Sequence, residues 1–291
     1  MDLTRANLAG LFLVVGAAGC ATSEASPARH EEEVAPSASA EHQEPGAHAS
    51  ASGSAHGPVH ADHPWAYTGD KGPTNWGDLD PKWEQCEVGK NQSPIDLPAV
   101  GDEPHGVDKL SVDYMAVPLR VKHNGHTVEV QNRTDSFITI GNKRFDLLQF
   151  HFHSPSEHTV AGQRFPLEVH FVNKARDGEL AVVGVLFETG DFNKTLEEVW
   201  KRMPKSETQD YVNHEKRLVN VADLISPTEG YYHYPGSLTT PPCGEGVRWF
   251  VMKETRDIEQ RAVDLFRAVI GGRSNRPVQP IGARKVFFFT P

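Results

Sequence analysis

Short apolar runs of strand length, separated by dipeptides that turn the chain sharply, dominate this sequence and leave few folds open to it. Val117 to Val130 holds two such runs around Asn124-Gly125, a pair suited to the positive φ angles of a two-residue hairpin turn. Phe137 to Ile140 and Arg144 to His153 flank Gly141-Asn142 in the same way. Leu180 to Phe187 is apolar without interruption, as expected of a strand buried on both faces. Helical spacing is confined to two segments. One puts Leu196, Val199, Trp200 and Met203 on a single face; the other groups Ala262, Leu265, Phe266 and Val269 and stops at Gly271-Gly272. Both read as core-facing surface helices. Many strands with two helices set apart from them predict an α+β domain dominated by sheet.

The start of the chain has a different character. Residues 1–20 read as an export signal: Arg5 precedes the apolar run Leu8 to Val15, which closes on Gly16, Ala17, Ala18 and Gly19. The run is too short to cross a bilayer. Ala-Ala-Gly before Cys20 resembles the cleavage box of a bacterial lipoprotein, although Ala17 stands where a larger aliphatic residue is usual, and ordinary signal cleavage near Cys20 is the alternative. Residues 21–64 are mostly Ala, Ser, Glu, His, Pro and Gly, a composition that predicts a disordered linker. Large apolar and aromatic residues return at Trp65, so 65–291 reads as one globular domain. A formal charge of −10, with no basic patch interleaved with aromatics, argues against a nucleic-acid partner. Export makes a disulfide between Cys86 and Cys243 chemically permitted. The expected location is the periplasm or cell envelope. A lipid on Cys20 would attach the protein to a membrane, the outer rather than the inner, and plain secretion follows if Cys20 is not lipidated.

Alternation sorts the segment before His153 into two faces, with Leu147, Gln149, His151 and His153 on one and Leu148, Phe150 and Phe152 on the other. The two imidazoles then lie about 7 Å apart at Cα, within reach of one metal ion. A His-x-His pair on a strand is by itself more often structural than catalytic, so a third ligand is needed. Leu167 to Val172 offers one, because Glu168, His170 and Val172 share a face opposite Val169 and Phe171. Glu168 can accept the free ring N–H of His170 and fix its tautomer, and Gln149 can do the same for His151. A lone His170 would be a satisfied core histidine; the weight rests on three histidines with orienting partners. Three neutral imidazoles leave a tetrahedral zinc with one open position, the arrangement of a catalytic site. Water bound there ionises near neutral pH.

Gln149-Phe150-His151-Phe152-His153, Ser156-Glu157-His158-Thr159-Val160, Glu168-Val169-His170 and Ser237-Leu238-Thr239-Thr240-Pro241-Pro242 together resemble the alpha-class carbonic anhydrases. The likeness runs from Trp76-Gly77 through Asn91-Gln92-Ser93-Pro94-Ile95 to Arg276-Pro277-Val278-Gln279-Pro280, nearly the whole domain. It implies a large, twisted, mostly antiparallel central sheet with a few peripheral helices. The implied reaction is reversible hydration of carbon dioxide to bicarbonate and a proton, by zinc hydroxide on His151, His153 and His170. Thr239 would accept a hydrogen bond from that hydroxide and donate its own proton to an ionised Glu157. Thr240 would line the substrate side, and Val172, Val182, Leu238 and Trp249 would form the apolar wall on which carbon dioxide rests. His126, just after the Asn-Gly turn, matches the proton shuttle. Cys86 and Cys243 match a bonded pair in bacterial members, a link that would anchor the Thr239-Thr240 segment to the N-terminal part of the domain.

Two positions depart from the family pattern: Asp78 stands where many members have tyrosine, and Glu129, near the shuttle, where an amide is usual. Both would alter the water network. A cupin-type metal oxidoreductase is a rival, since His151-x-His153-x-x-x-Glu157 fits half of that ligand motif, but its glycines and its second half are missing. A second rival is an inactive relative that captures metal through His30, His42, His48, His56, His60 and His63. All three zinc histidines are present, and the irregular spacing of the others suits a solvated linker.

Overall fold

The apolar runs pair into strands as their spacing requires. The computed structural model describes residues 63–105, 107–225 and 230–290. The signal with Cys20, and residues 21–62 of the linker, lie outside the described residues. In chain order the strands are β1 (Asp96–Leu97), β2 (Leu110–Asp113), β3 (Ala116–His123), β4 (Val128–Gln131), β5 (Phe137–Ile140), β6 (Lys143–His153), β7 (Thr159–Val160), β8 (Gln163–Arg164), β9 (Leu167–Ala175), β10 (Leu180–Thr189), β11 (Val212–Asn220), β12 (Tyr231–Ser237), β13 (Glu245–Met252), β14 (Arg256–Ile258) and β15 (Phe287–Phe289). The helices are short: α1 (Trp76–Leu79), α2 (Gln85–Val88), α3 (Lys194–Trp200) and α4 (Gln260–Ile270).

Among the described residues twelve strands form one mixed sheet, whose main path runs β11-β3-β4-β6-β9-β10-β13-β12-β15. Its pairs are antiparallel except where β10 meets β13 and β14. β10 therefore sits inside the sheet, between β9 and β13, with apolar layers on both faces; this is the physical reason for its unbroken apolar run.

One face carries the larger core. Phe150 and Phe152 of β6, Phe171 of β9 and Phe187 of β10 pack with Trp200 of α3 and Phe266 of α4. Phe152 meets Trp200 edge-on at 4.7 Å between ring centroids, and Trp200 stacks on Phe266 at 5.5 Å. Each such ring, fully buried, contributes about 1.5–3 kcal/mol from its area alone. The opposite face, which also bears the site described below, carries a smaller core of Ile95, Val182, Leu186, Tyr234 and Trp249.

Three details differ from the sequence reading. Leu147 joins the Phe150 core and Leu148 is exposed, the reverse of the expected faces. A register shift between Leu147 and Gln149, where β6 pairs with β9, inserts an extra residue and flips the alternation upstream of Gln149. The Asn124-Gly125 turn is a four-residue loop, because β3 ends at His123 and β4 starts at Val128; Gly125 alone has a positive φ there, +88°. On α4 the buried residues are Val263, Phe266, Val269 and Ile270, while Leu265 is exposed. Gly271, left-handed at φ +77°, ends that helix where the sequence places its stop.

Candidate active site

Strand register assembles the site in rows. Residues paired across neighbouring strands point to the same face. One row joins Glu129, His151 and His170; the next joins Gln149, Val172, Val182 and Trp249; a third joins His153 with Glu168. Three imidazoles and an apolar wall thus share the face opposite the phenylalanine core.

Each ring is held by its outer nitrogen. His151 Nδ1 is 2.9 Å from Gln149 Oε1, His153 Nδ1 is 2.5 Å from the Ser274 carbonyl, and His170 Nε2 is 2.8 Å from Glu168 Oε1. Their partners accept, so these nitrogens carry the hydrogens and the inner nitrogens keep lone pairs. One ring nitrogen from each histidine lies within 4.8 Å of those of the other two. His153 Nε2 is buried with no hydrogen-bond partner among the described residues, an arrangement proteins avoid unless something else binds there. Burial holds all three rings below the usual histidine pKa, His153 at about 4, so they are neutral as metal ligands must be.

His158, Glu168 and His170 also bring three donor atoms together. That group is already saturated. Glu168 Oε2 accepts the backbone N–H groups of Glu157 and His158, both at 2.8 Å, and Oε1 takes the ring nitrogens of His158 at 2.7 Å and His170 at 2.8 Å. These bonds, with the neighbouring histidines, hold the Glu168 carboxyl well below its usual pKa despite complete burial. Beyond it, His158 Nε2 is 2.6 Å from the Tyr234 hydroxyl, itself 3.0 Å from Ser93 Oγ.

Glu157 is fully buried and accepts the Arg276 backbone N–H on Oε1 at 2.8 Å, while Oε2 has no hydrogen-bond partner among the described residues. Burial pushes its pKa up to about 7, against the opposing pull of His170, the Arg276 amide and the Thr239 hydroxyl. A dication held by the three rings would draw it back towards the charged form. Thr239 is buried beside it, and Thr240 is partly exposed into the cavity.

That cavity, about 140 Å³, is lined by Tyr67, His126, Glu129, His151, His153 and Thr240 among others. Val182 and Trp249 are buried in the smaller core on this face, with Val172 and Leu238 packed against them and the Trp249 ring edge-on to His170 at 4.8 Å, but none of the four is among the residues that line this cavity. His126 is half-buried, its ring stacked on Trp65 at 3.6 Å and 4.5 Å from that of His63. Burial, helped by His63 and His123, pulls its pKa down to about 4. Glu129 accepts the Tyr211 hydroxyl hydrogen bond, whereas Asp78 is exposed on α1 and does not line the cavity.

The eukaryotic-type carbonic anhydrase domain pattern matches residues 71–290. The chain belongs to the alpha-class carbonic anhydrases. It is 36% identical over 220 residues to a carbonic anhydrase of Pectobacterium atrosepticum, covering 76% of this chain and 88% of that one. The Neisseria gonorrhoeae carbonic anhydrase is 37% identical over 232 residues, covering 78% and 89% of the two chains. The alpha-carbonic anhydrase of Thermovibrio ammonificans, solved with the inhibitor sulfanilamide, superposes with a TM-score of 0.72 at 44% identity, over 77% of this chain and 98% of that one. As a carbonic anhydrase, the chain catalyses reversible hydration of carbon dioxide.

Several residues of this carbonic anhydrase site escape a reading of the sequence. Ser274 acts through its backbone carbonyl and has no side-chain signature. Arg276 is buried, donating from its guanidinium to Gln92, Ser93 O and Cys86 O while its amide holds Glu157. Cys86 and Cys243 are disulfide-bonded, with Cα atoms 4.9 Å apart. This bond joins α2 to the loop after Thr240, whose carbonyl accepts the Cys243 N–H at 2.9 Å.

Proposed function

We propose that this carbonic anhydrase hydrates carbon dioxide with one zinc ion on His151 Nε2, His153 Nε2 and His170 Nδ1. The observation that carries the reading is the set of three inward lone pairs whose outer nitrogens are all occupied, with His153 Nε2 buried and without a partner among the described residues. When bound, zinc supplies a Lewis acid that makes water acidic near pH 7, as in carbonic anhydrases generally. The chain's own residues do the rest.

Glu157, ionised, accepts a hydrogen bond from the Thr239 hydroxyl, which leaves the Thr239 oxygen as an acceptor and orients the attacking water's lone pair towards substrate. Val172, Val182, Leu238 and Trp249 offer carbon dioxide an apolar surface, and Thr240 lines the polar side. His126 carries the released proton outwards. Proton transfer through His126 is the expected limit on kcat.

We further propose export, because Arg5, the apolar run Leu8 to Val15 and Cys20 after Ala-Ala-Gly form a lipoprotein-like signal, and a disulfide suits an oxidising compartment. A lipid on Cys20 would tether the domain to a membrane, the outer rather than the inner. The test of the zinc site is stopped-flow carbon dioxide hydration with zinc measured on the same sample. Wild type should hold one zinc per chain and turn over; His153→Ala should lose both. Full zinc and normal turnover in that variant would overturn the assignment.

A further inference from the structure

Every backbone amide of the loop that presents His126 is hydrogen-bonded, and a second histidine completes the set. Asn124 N–H bonds the Thr127 carbonyl at 3.1 Å, and Asn124 Oδ1 accepts the His126 and Thr127 amides at 3.0 and 2.9 Å. The remaining amide, Gly125 N–H, goes to His123 Nδ1 at 3.1 Å. His123 is buried, 2% exposed, and its Nε2 lies 3.0 Å from the Val269 carbonyl. Val269 is in the last turn of α4, where carbonyls lack partners within the helix. The two bonds fix the tautomer: Nε2 must donate to a carbonyl, so Nδ1 keeps the lone pair that receives Gly125 N–H. On the backbone, Thr208 N–H donates to the His123 carbonyl at 2.9 Å. From the other side, Thr127 Oγ1 donates to the Phe152 carbonyl at 2.5 Å, between His151 and His153.

We propose that His123 is a positioning residue for proton transfer: it clamps the Gly125 amide to the end of α4 and thereby holds the His126 ring against Trp65 at the cavity mouth. The proposal rests on His126 being the proton carrier. A slack loop would let His126 sample many orientations, so transfer would slow while attack on carbon dioxide, which does not involve the loop, would not. No hydrogen bond or ring contact among the described residues joins His123 to His151, His153 or His170, so attack on carbon dioxide is untouched; Asn and Gln in its place remove its pull on the His126 pKa alike, so the difference between them reports the Gly125 bond.

Two substitutions separate its two bonds. Asn oxygen can stand where Nδ1 stands and keep the Gly125 bond; Gln nitrogen can stand where Nε2 stands, keeping Val269 and losing Gly125. Expected results in the zinc-loaded enzyme are a severalfold lower kcat for His123→Gln, unchanged kcat/KM for carbon dioxide, and recovery in imidazole buffer. His123→Asn should retain most of kcat. Hydrogen exchange at the Gly125 amide, which needs no turnover, should speed up by about tenfold in His123→Gln and stay near wild type in His123→Asn. The double variant with His126→Ala should be no slower than His126→Ala alone. Equal kcat in wild type and His123→Gln, beside a slowed His126→Ala, would overturn the proposal; so would kcat/KM falling with kcat. If His126→Ala itself leaves kcat unchanged, the shuttle reading fails. The Gly125 exchange then decides separately whether His123 holds the loop: unchanged exchange refutes the clamp, and faster exchange supports it.

Discussion

Replacing Glu168 by Gln changes one buried atom and should undo the metal site. The carboxylate accepts four N–H groups, two backbone amides on Oε2 and two ring nitrogens on Oε1. A carboxamide has one oxygen, so one of these pairs must face an NH2 group. The amides of Glu157 and His158 cannot change sign, and leaving both unsatisfied in a fully buried place would cost about 2–6 kcal/mol. The rings can change tautomer. The oxygen should therefore turn to the amides and the NH2 to the rings, which must then accept. For His170 that moves the hydrogen from Nε2 to Nδ1, the nitrogen meant for the metal. Forcing it back is expected to weaken zinc binding by about 10–100-fold, or roughly 1.4–2.8 kcal/mol. The assay is zinc competition with a chelator on folded Glu168→Gln, with hydration rates at saturating zinc as companion. Zinc affinity within twofold of wild type, in a variant with native circular dichroism, would refute the tautomer argument.

Other outcomes follow from the same geometry. Reducing the Cys86–Cys243 bond, or replacing both with Ala, should lower unfolding free energy by about 5 kcal/mol at most, since the bond spans 157 residues; denaturant titration measures it, and equal midpoints would count against it. Acid should destabilise the metal-free protein. His153 and His233 have pKa values of about 4 when folded and about 6.5 unfolded, so the unfolded chain binds more protons between these values. Their stabilisation is complete above pH 6.5 and is lost as pH falls towards 4. Glu157, raised to about 7, acts oppositely but is one group against several histidines. A melting temperature that stays flat or rises from pH 6.5 to 4 would contradict this sum. Cys20→Ser should abolish palmitate labelling of the exported protein; equal labelling, or none in either, would favour plain secretion.

How much the sequence reveals depends on how far apart the deciding residues lie. Gln149 and Glu168 each sit two positions before the histidine whose ring they meet, so strand alternation alone suggests those contacts. The faces of β9 are equally legible, because Glu168, His170 and Val172 alternate without interruption. On β6 the same rule fails upstream of Gln149, since a bulge depends on how the partner strand is registered and leaves no residue signature at Leu147 or Leu148. Leu265 was grouped with the core of α4 by spacing, but Val263 takes that place; helical spacing orders the residues around the axis and leaves the position of the neighbouring sheet unstated. The clearest case is His153. Its orienting group is a backbone carbonyl 121 residues away, at Ser274, and any residue type there would present the same atom. Glu157 is fixed in the same remote fashion by the amide of Arg276, 119 residues on. Candidate metal ligands are thus readable where side chains on one strand hold them. They become unreadable where the backbone of a distant loop does the holding, because the chemistry of a peptide group is the same at every position in the chain.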